Sequence, residues 1–155
     1  MPTDTHSADA AALRLLRGLL LGLVLFGAAG FTLELLLMDH FESLEQAIPL
    51  AALGAAIVSG AALALRPTRL GVRTFQAVMV LFVVSGLLGL YFHYRGNVEF
   101  ERELDASARG LELAWRALRG GTPALAPGGL VQLGLLGLAA VYRHPALGER
   151  GSAGA

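Results

Sequence analysis

Leu15-Leu-Arg-Gly-Leu-Leu-Leu-Gly-Leu-Val-Leu-Phe-Gly-Ala-Ala-Gly-Phe-Thr-Leu-Glu-Leu-Leu-Leu37 is apolar except for an arginine near its start and a glutamate near its end. A helix needs about 20 such residues to cross the ~30 Å hydrocarbon core of a bilayer, so this run is long enough to span. Comparable runs recur at Ala47 to Leu65, Thr74 to Tyr94 and, less cleanly, Ala124 to Tyr142. In hydrocarbon every backbone amide must be satisfied within its own segment, which makes these runs helices. The expectation is an all-α polytopic membrane protein, a four-transmembrane-helix bundle with spans at 15–37, 47–65, 74–94 and 124–142.

Composition agrees. The 155 residues are 55% hydrophobic and 15% charged, with a mean hydropathy of +0.61. A water-soluble single domain cannot hide that much apolar surface. Net charge is zero, so there is no basic field for nucleic acid and no acidic tail for basic partners. The absence of cysteine excludes disulfides, thiolate metal sites, iron–sulfur clusters and cysteine nucleophiles. All twelve basic residues are arginine, a bias expected of a GC-rich bacterial genome.

Residues 1–12 are rich in Thr, Ser, Ala and Asp without apolar periodicity, and 148–155 are mostly Gly, Ala and Ser. Both read as disordered tails around a membrane domain at 13–147. The first run has the basic, apolar, small-residue order of a signal peptide, but hydrophobicity resumes over Phe31 to Leu37, which favours a retained span.

Basic residues in short flanks face the cytoplasm. Arg14 and Arg17 precede the first span, Arg66, Arg69 and Arg73 follow the second, and Arg143 and Arg150 follow the fourth. The first connection has no arginine and carries Asp39, Glu42 and Glu45. Four spans therefore place both termini in the cytoplasm of a bacterial inner membrane.

The connection at 95–123 is the only long one, and its five arginines are balanced by five acidic residues. Within it, Leu111, Leu113, Ala114, Trp115 and Leu118 alternate with Arg109, Glu112, Arg116 and Arg119 at helical spacing. The spacing predicts a short amphipathic extramembrane helix over 107–119, capped by Ser107, ended by Gly120-Gly121 and braced by a Glu112–Arg116 pair. Trp115 among leucines suits a helix on the outer membrane surface or over the bundle mouth, and a soluble hairpin segment is the other reading. Pro123 and Pro127 then shorten the clean apolar stretch of the fourth span, which is either a kinked crossing or a re-entrant element.

Helices in lipid associate by close packing of small residues. Ala47, Ala51, Ala55 and Ser59 form one row on the second span, and Ala52, Ala56, Gly60 and Ala64 form another. Gly18 and Gly22 in the first span, Ser85, Gly86 and Gly89 in the third and Gly134 and Gly137 in the fourth extend the pattern. These rows suit a compact bundle, and any one of them equally suits a homo-oligomer or partner face.

The chemistry-bearing residues cluster at the outer ends of the first and third spans: Glu34, Asp39, His40 and Glu42, with Tyr91, His93, Tyr94 and Arg95. His40 and His93 on different helices could ligate haem iron or a divalent metal, and Glu34 could relay protons. Against this, His and Tyr at span ends commonly form the interfacial belt. His93 shares a helix face with Gly86 and Gly89, a face that either admits a neighbouring backbone or leaves room for a flat ligand. Arg95 is the counter-charge nearest in depth to Glu34. Ser59 and Ser85 have no histidine nearby in sequence, and Gly128-Gly129 lacks a phosphate-loop lysine, so no enzyme motif is present.

Tyr91-Phe-His-Tyr-Arg-Gly-Asn-Val-Glu-Phe100, and Thr122-Pro-Ala-Leu-Ala-Pro-Gly128 with Gln132-Leu-Gly-Leu-Leu-Gly-Leu138 and Tyr142-Arg-His-Pro145, resemble segments of small bacterial four-span integral membrane proteins with no assigned function. The resemblance covers about half the chain and implies the class alone. The sequence thus points to a structural or accessory subunit working through its helix faces and outer loop. The alternative is a haem- or metal-binding or proton-coupled protein using Glu34, His40 and His93.

Overall fold

The computed structural model describes residues 3–39 and 42–148. His40 and the tail beyond Gly148 lie outside the described residues, which contain five α-helices, a terminal 3-10 turn and no strand. The helices are α1 (Thr3–Leu37), α2 (Leu44–Leu65), α3 (Arg69–Leu104), α4 (Gly110–Leu118) and α5 (Gly128–Ala140). The first three are long and apolar enough to cross a membrane. The chain divides into two compact units, Met1–Phe82 with Leu133–Ala155, and Val83–Gln132.

In the first unit α1 and α2 pack against each other. Residues 3–12, which carry no apolar periodicity, continue α1 beyond its apolar run. At the other end Asp39 takes a left-handed conformation (φ 51°), and its N–H bonds the Leu36 carbonyl at 3.2 Å. Ser43 opens α2 with a capping box. Its hydroxyl accepts the Gln46 N–H, while Gln46 Oε1 accepts the Ser43 and Glu42 N–H groups at 3.3 and 3.0 Å. Pro67 stops α2 from continuing, and Thr68 Oγ1 accepts the Gly71 N–H at 3.0 Å to start α3.

The core of this unit is built from Val24 and Ala28 of α1, Leu53, Ala56 and Leu63 of α2, Val72, Phe75, Met79 and Phe82 of α3, and Leu133, Ala140 and Val141. Gly60 lets α2 sit against Leu25 and Phe75, where a Cβ would lie 2.8 Å from Leu25 Cδ2. Gly137 receives Met79 in the same way. Outward-facing side chains are equally apolar, with Phe26 80% and Val58 71% exposed. Only 11% of the most apolar stretch of α1 is buried within the protein, so most of that surface requires a non-aqueous neighbour.

In the second unit α3 does not end at the apolar boundary near Tyr94. It runs on to Leu104, giving 36 residues and a length of about 54 Å. The stretch at 95–104, expected to begin an outer loop, is helical because arginine and glutamate are good helix formers. Arg95 and Glu99 also pair across one turn at 2.9 Å. The amphipathic helix is present as α4 but begins three residues later than its spacing predicted. Ser107 does not cap it. Its N–H and hydroxyl both turn back to Asp105 Oδ1, at 2.9 and 2.6 Å, and Gly110 enters α4 with φ +61°.

The fourth apolar stretch forms a helix of 13 residues, about 20 Å, which is shorter than a hydrocarbon core. Pro123 and Pro127 have no N–H to give an α-helical ladder. Ala126, Gly128, Gly129 and Leu130 instead bond back to Pro123, Leu125, Ala126 and Pro127, in i→i+3 steps of 2.9 to 3.2 Å that lead into α5.

Candidate functional site

Glu34 belongs to the first unit, and His93 and Arg95 belong to the second. Glu34 is exposed on α1 with no ion-pair partner among the described residues, and Arg95 takes Glu99 as its partner. His93 is partly buried, and its Nδ1–H donates to the Pro123 carbonyl at 3.1 Å. A carbonyl oxygen only accepts, so the hydrogen of this bond lies on Nδ1. His40 lies outside the described residues, within which no three His, Asp or Glu side chains are placed to hold a metal.

The glycine face beside His93 is filled by backbone. A Cβ on residue 86 would stand 2.6 Å from Val131 Cγ2, 2.8 Å from Val131 N and 2.9 Å from the Pro127 carbonyl. One on residue 89 would meet the Pro127 ring at 2.7 Å. Of the two uses of such a face, the chain takes close helix approach, and no space for a flat ligand is left there.

Asn97 is the polar centre of the second unit, 3% exposed, and nothing in its sequence context announces it. Its Nδ2 donates to the Ala117 and Thr122 carbonyls at 2.9 and 2.6 Å, and its Oδ1 accepts the Thr122 N–H at 3.2 Å. The carboxamide therefore seals the C-terminal end of α4, where orphan carbonyls need donors. Gly120 makes room for it, since a Cβ there would lie 2.6 Å from Asn97 Cγ. The Gly120-Gly121 pair, read as a helix stop, was the available clue to a close approach.

So anchored, α4 is apolar on two faces. Leu113 and Ala117 are buried in the unit, whereas Leu111, Trp115 and Leu118, also one turn apart, are 90%, 61% and 42% exposed. Between the two stripes run Glu112, Arg116 and Arg119. Arg116 pairs with Glu112 at 2.5 Å and with Asp105 at 3.2 Å, and the Arg119 guanidinium lies 6.0 Å from the Trp115 ring centroid. The Ser107 hydroxyl and N–H, aided by Arg116, hold the Asp105 carboxyl below the usual carboxylate range.

The two small-residue rows of α2 separate over the middle of the helix, whereas Ala64 of the second row is exposed. Ala52, Ala56 and Gly60 turn inward, with Ala56 and Gly60 buried, whereas Ala51 and Ala55 are exposed. Ser59 is buried and its hydroxyl donates to the Ala56 carbonyl at 3.4 Å.

At the arginine-rich end of the first unit, Arg17 donates from one guanidinium nitrogen to the Tyr142 and Arg143 carbonyls, both at 3.2 Å. A cation here complements the carbonyls just past the C-terminal end of α5. His144, next in the chain, accepts the Ala146 N–H on Nδ1 at 3.2 Å. Burial and the nearby Arg17 charge lower its pKa. No protein-family model matches the chain, and comparisons with curated proteins and with solved structures likewise returned no match.

Proposed function

We propose that this chain is a small bacterial inner-membrane protein with four crossing segments that serves as a structural or accessory subunit, binding the bilayer and a partner helix through its exposed faces. The observation that carries this reading is the outward stripe of Leu111, Trp115 and Leu118 on a helix already docked by its opposite face. A second apolar stripe with a tryptophan, flanked by arginines, suits the membrane interface. The exposed Ala51 and Ala55 offer a smooth row for a neighbouring helix, in a chain copy or a different protein.

Four crossings are favoured by length and by charge. The hydrogen-bonded turns at 123–127 lead into the roughly 20 Å of α5, and a kinked entry through them would complete a crossing that α5 alone is too short to make. Arg17 and Arg143, flanks of the first and last segments, meet at one end, as they must if both termini are cytoplasmic.

The absence of native cysteine permits a direct test by single-cysteine labelling. Cysteines at Ser43 and Ser107 should react with an impermeant maleimide from the outside, and cysteines at Thr68 and Gly148 only after permeabilisation. External labelling at Gly148 would overturn the four-crossing topology. For the accessory role, Ala55→Leu should abolish in-membrane crosslinking to a neighbour while leaving the thermal melt of the purified protein unchanged. A haem band or stoichiometric metal lost in His93→Ala would overturn that role in favour of a cofactor protein.

A further inference from the structure

The arginine-rich end of the first unit contains an open cleft of about 580 Å³ between the N-terminal part of α1, the end of α2 and the segment after α5. Arg14, Arg17 and His144 supply its polar lining, and Leu63, Pro67 and Val141 are among its apolar walls. Among the described residues no carboxylate lines it and neither arginine makes an ion pair. Arg17 spends one nitrogen on two carbonyls, and Arg14, one helical turn away, makes no such bond. Two uncompensated guanidinium groups above an apolar wall form a recess that is cationic at one end and oily at the other.

We propose that this cleft binds the phosphate of an anionic phospholipid head group, with Arg14 and Arg17 on the phosphate and the acyl chain along Leu63 and Val141. Guanidinium forks match phosphate oxygens in geometry and charge. Basic recesses between membrane helices at the cytoplasmic face are where anionic head groups bind. Free phosphate shares the charge chemistry but has no use for the apolar wall, which is why the lipid is the occupant. The proposal rests on the membrane-embedded reading above.

The test is native mass spectrometry of the protein extracted from membranes in non-ionic detergent, titrated with phosphatidylglycerol, phosphatidylcholine or inorganic phosphate. The expected result is retention of phosphatidylglycerol over phosphatidylcholine, weakened about fivefold by Arg14→Gln, the effect of one basic residue near an anionic head group. Arg109→Gln, the same charge change in the second unit, should leave it unaltered. Arg17→Gln should weaken it further but also removes a structural bond, so Arg14→Gln decides. Equal binding of the two lipids, indifference to Arg14→Gln, or complete displacement by equimolar inorganic phosphate would each overturn the proposal. Recovery of the protein from the soluble fraction without detergent would instead overturn the membrane reading itself.

Discussion

Asn97 and Thr122 hold each other from both sides, the side-chain carboxamide of one giving to and taking from the backbone of the other at 2.6 and 3.2 Å. A buried amide used in this way replaces a length of backbone ladder and fixes where the chain after α4 must run. Asn97→Leu removes the donors and acceptor together, leaving the Thr122 carbonyl and N–H without these partners while the Ala117 carbonyl keeps the Gly120 N–H at 3.3 Å, at a cost of roughly 1–3 kcal/mol. The accompanying readout is faster hydrogen exchange at the Thr122 amide; unchanged protection would show that the clamp is dispensable.

Glycine substitutions in α3 should separate by location. Gly86→Ala places a methyl against the Val131 and Pro127 backbone, which cannot yield as a side-chain tip can, and should destabilise by about 1–3 kcal/mol. Gly96→Ala meets nothing within 4 Å and should stabilise by up to about 1 kcal/mol through helix propensity. Thermal melts of the two variants in one detergent provide the comparison, and equal melting points would contradict the close approach.

Arg17→Gln should lower stability by about 1 kcal/mol by releasing the Tyr142 and Arg143 carbonyls, whereas Arg14→Gln should not. Protease sensitivity after Arg143 would report the release directly.

Acid should act at two places. The lowered pKa of His144 means that the unfolded chain takes up a proton near 6.5 while the folded form stays neutral, so stability falls as pH drops through about 6.5 toward the lowered folded value. Protonation also removes the acceptor of the Ala146 N–H. The melting point should therefore decline as pH falls below about 6.5 in the wild type, and a decline of equal size in His144→Gln would exclude this source. Asp105 behaves oppositely in kind: its ionised form is favoured in the fold, so its contribution is complete above the ordinary carboxylate range and is lost only as pH falls through the lower folded value. Ser107→Ala should move that acid loss upward in pH, followed by protease cleavage in the 105–109 turn.

The apolar runs at 15–37, 47–65 and 74–94 all lie inside observed helices, because 20 apolar residues in succession leave the backbone few alternatives. The Glu112–Arg116 pair was equally legible from its spacing. What periodicity misses is competition. Ser107 was free in sequence to cap α4, but Asp105, two residues away, offered it a tighter local turn. Likewise the glycine face at residues 86 and 89 was visible, while its occupant, the proline-led start of α5, depended on tertiary pairing. Asn97 carried no pattern at all, since a lone amide in a charged stretch looks solvated until the carbonyls it meets are known. The same limit applied to the cleft, whose lining residues are scattered from Arg14 to Ala146.

The first unit is discontinuous in sequence, joining Met1–Phe82 to Leu133–Ala155 across an intervening unit of its own. On the ribosome, α1, α2 and the first half of α3 emerge well before Leu133 exists to pack on Gly27 or Gly137 to receive Met79 and Phe75. Over that interval the seat of α5 must be shielded by lipid or by an insertion chaperone, and the Arg17 guanidinium has no carbonyls to hold. Closing a loop of more than a hundred residues onto Arg17 is thus built into the assembly order, so the rate of maturation, more than final stability, is where substitutions at Arg17 would first be felt.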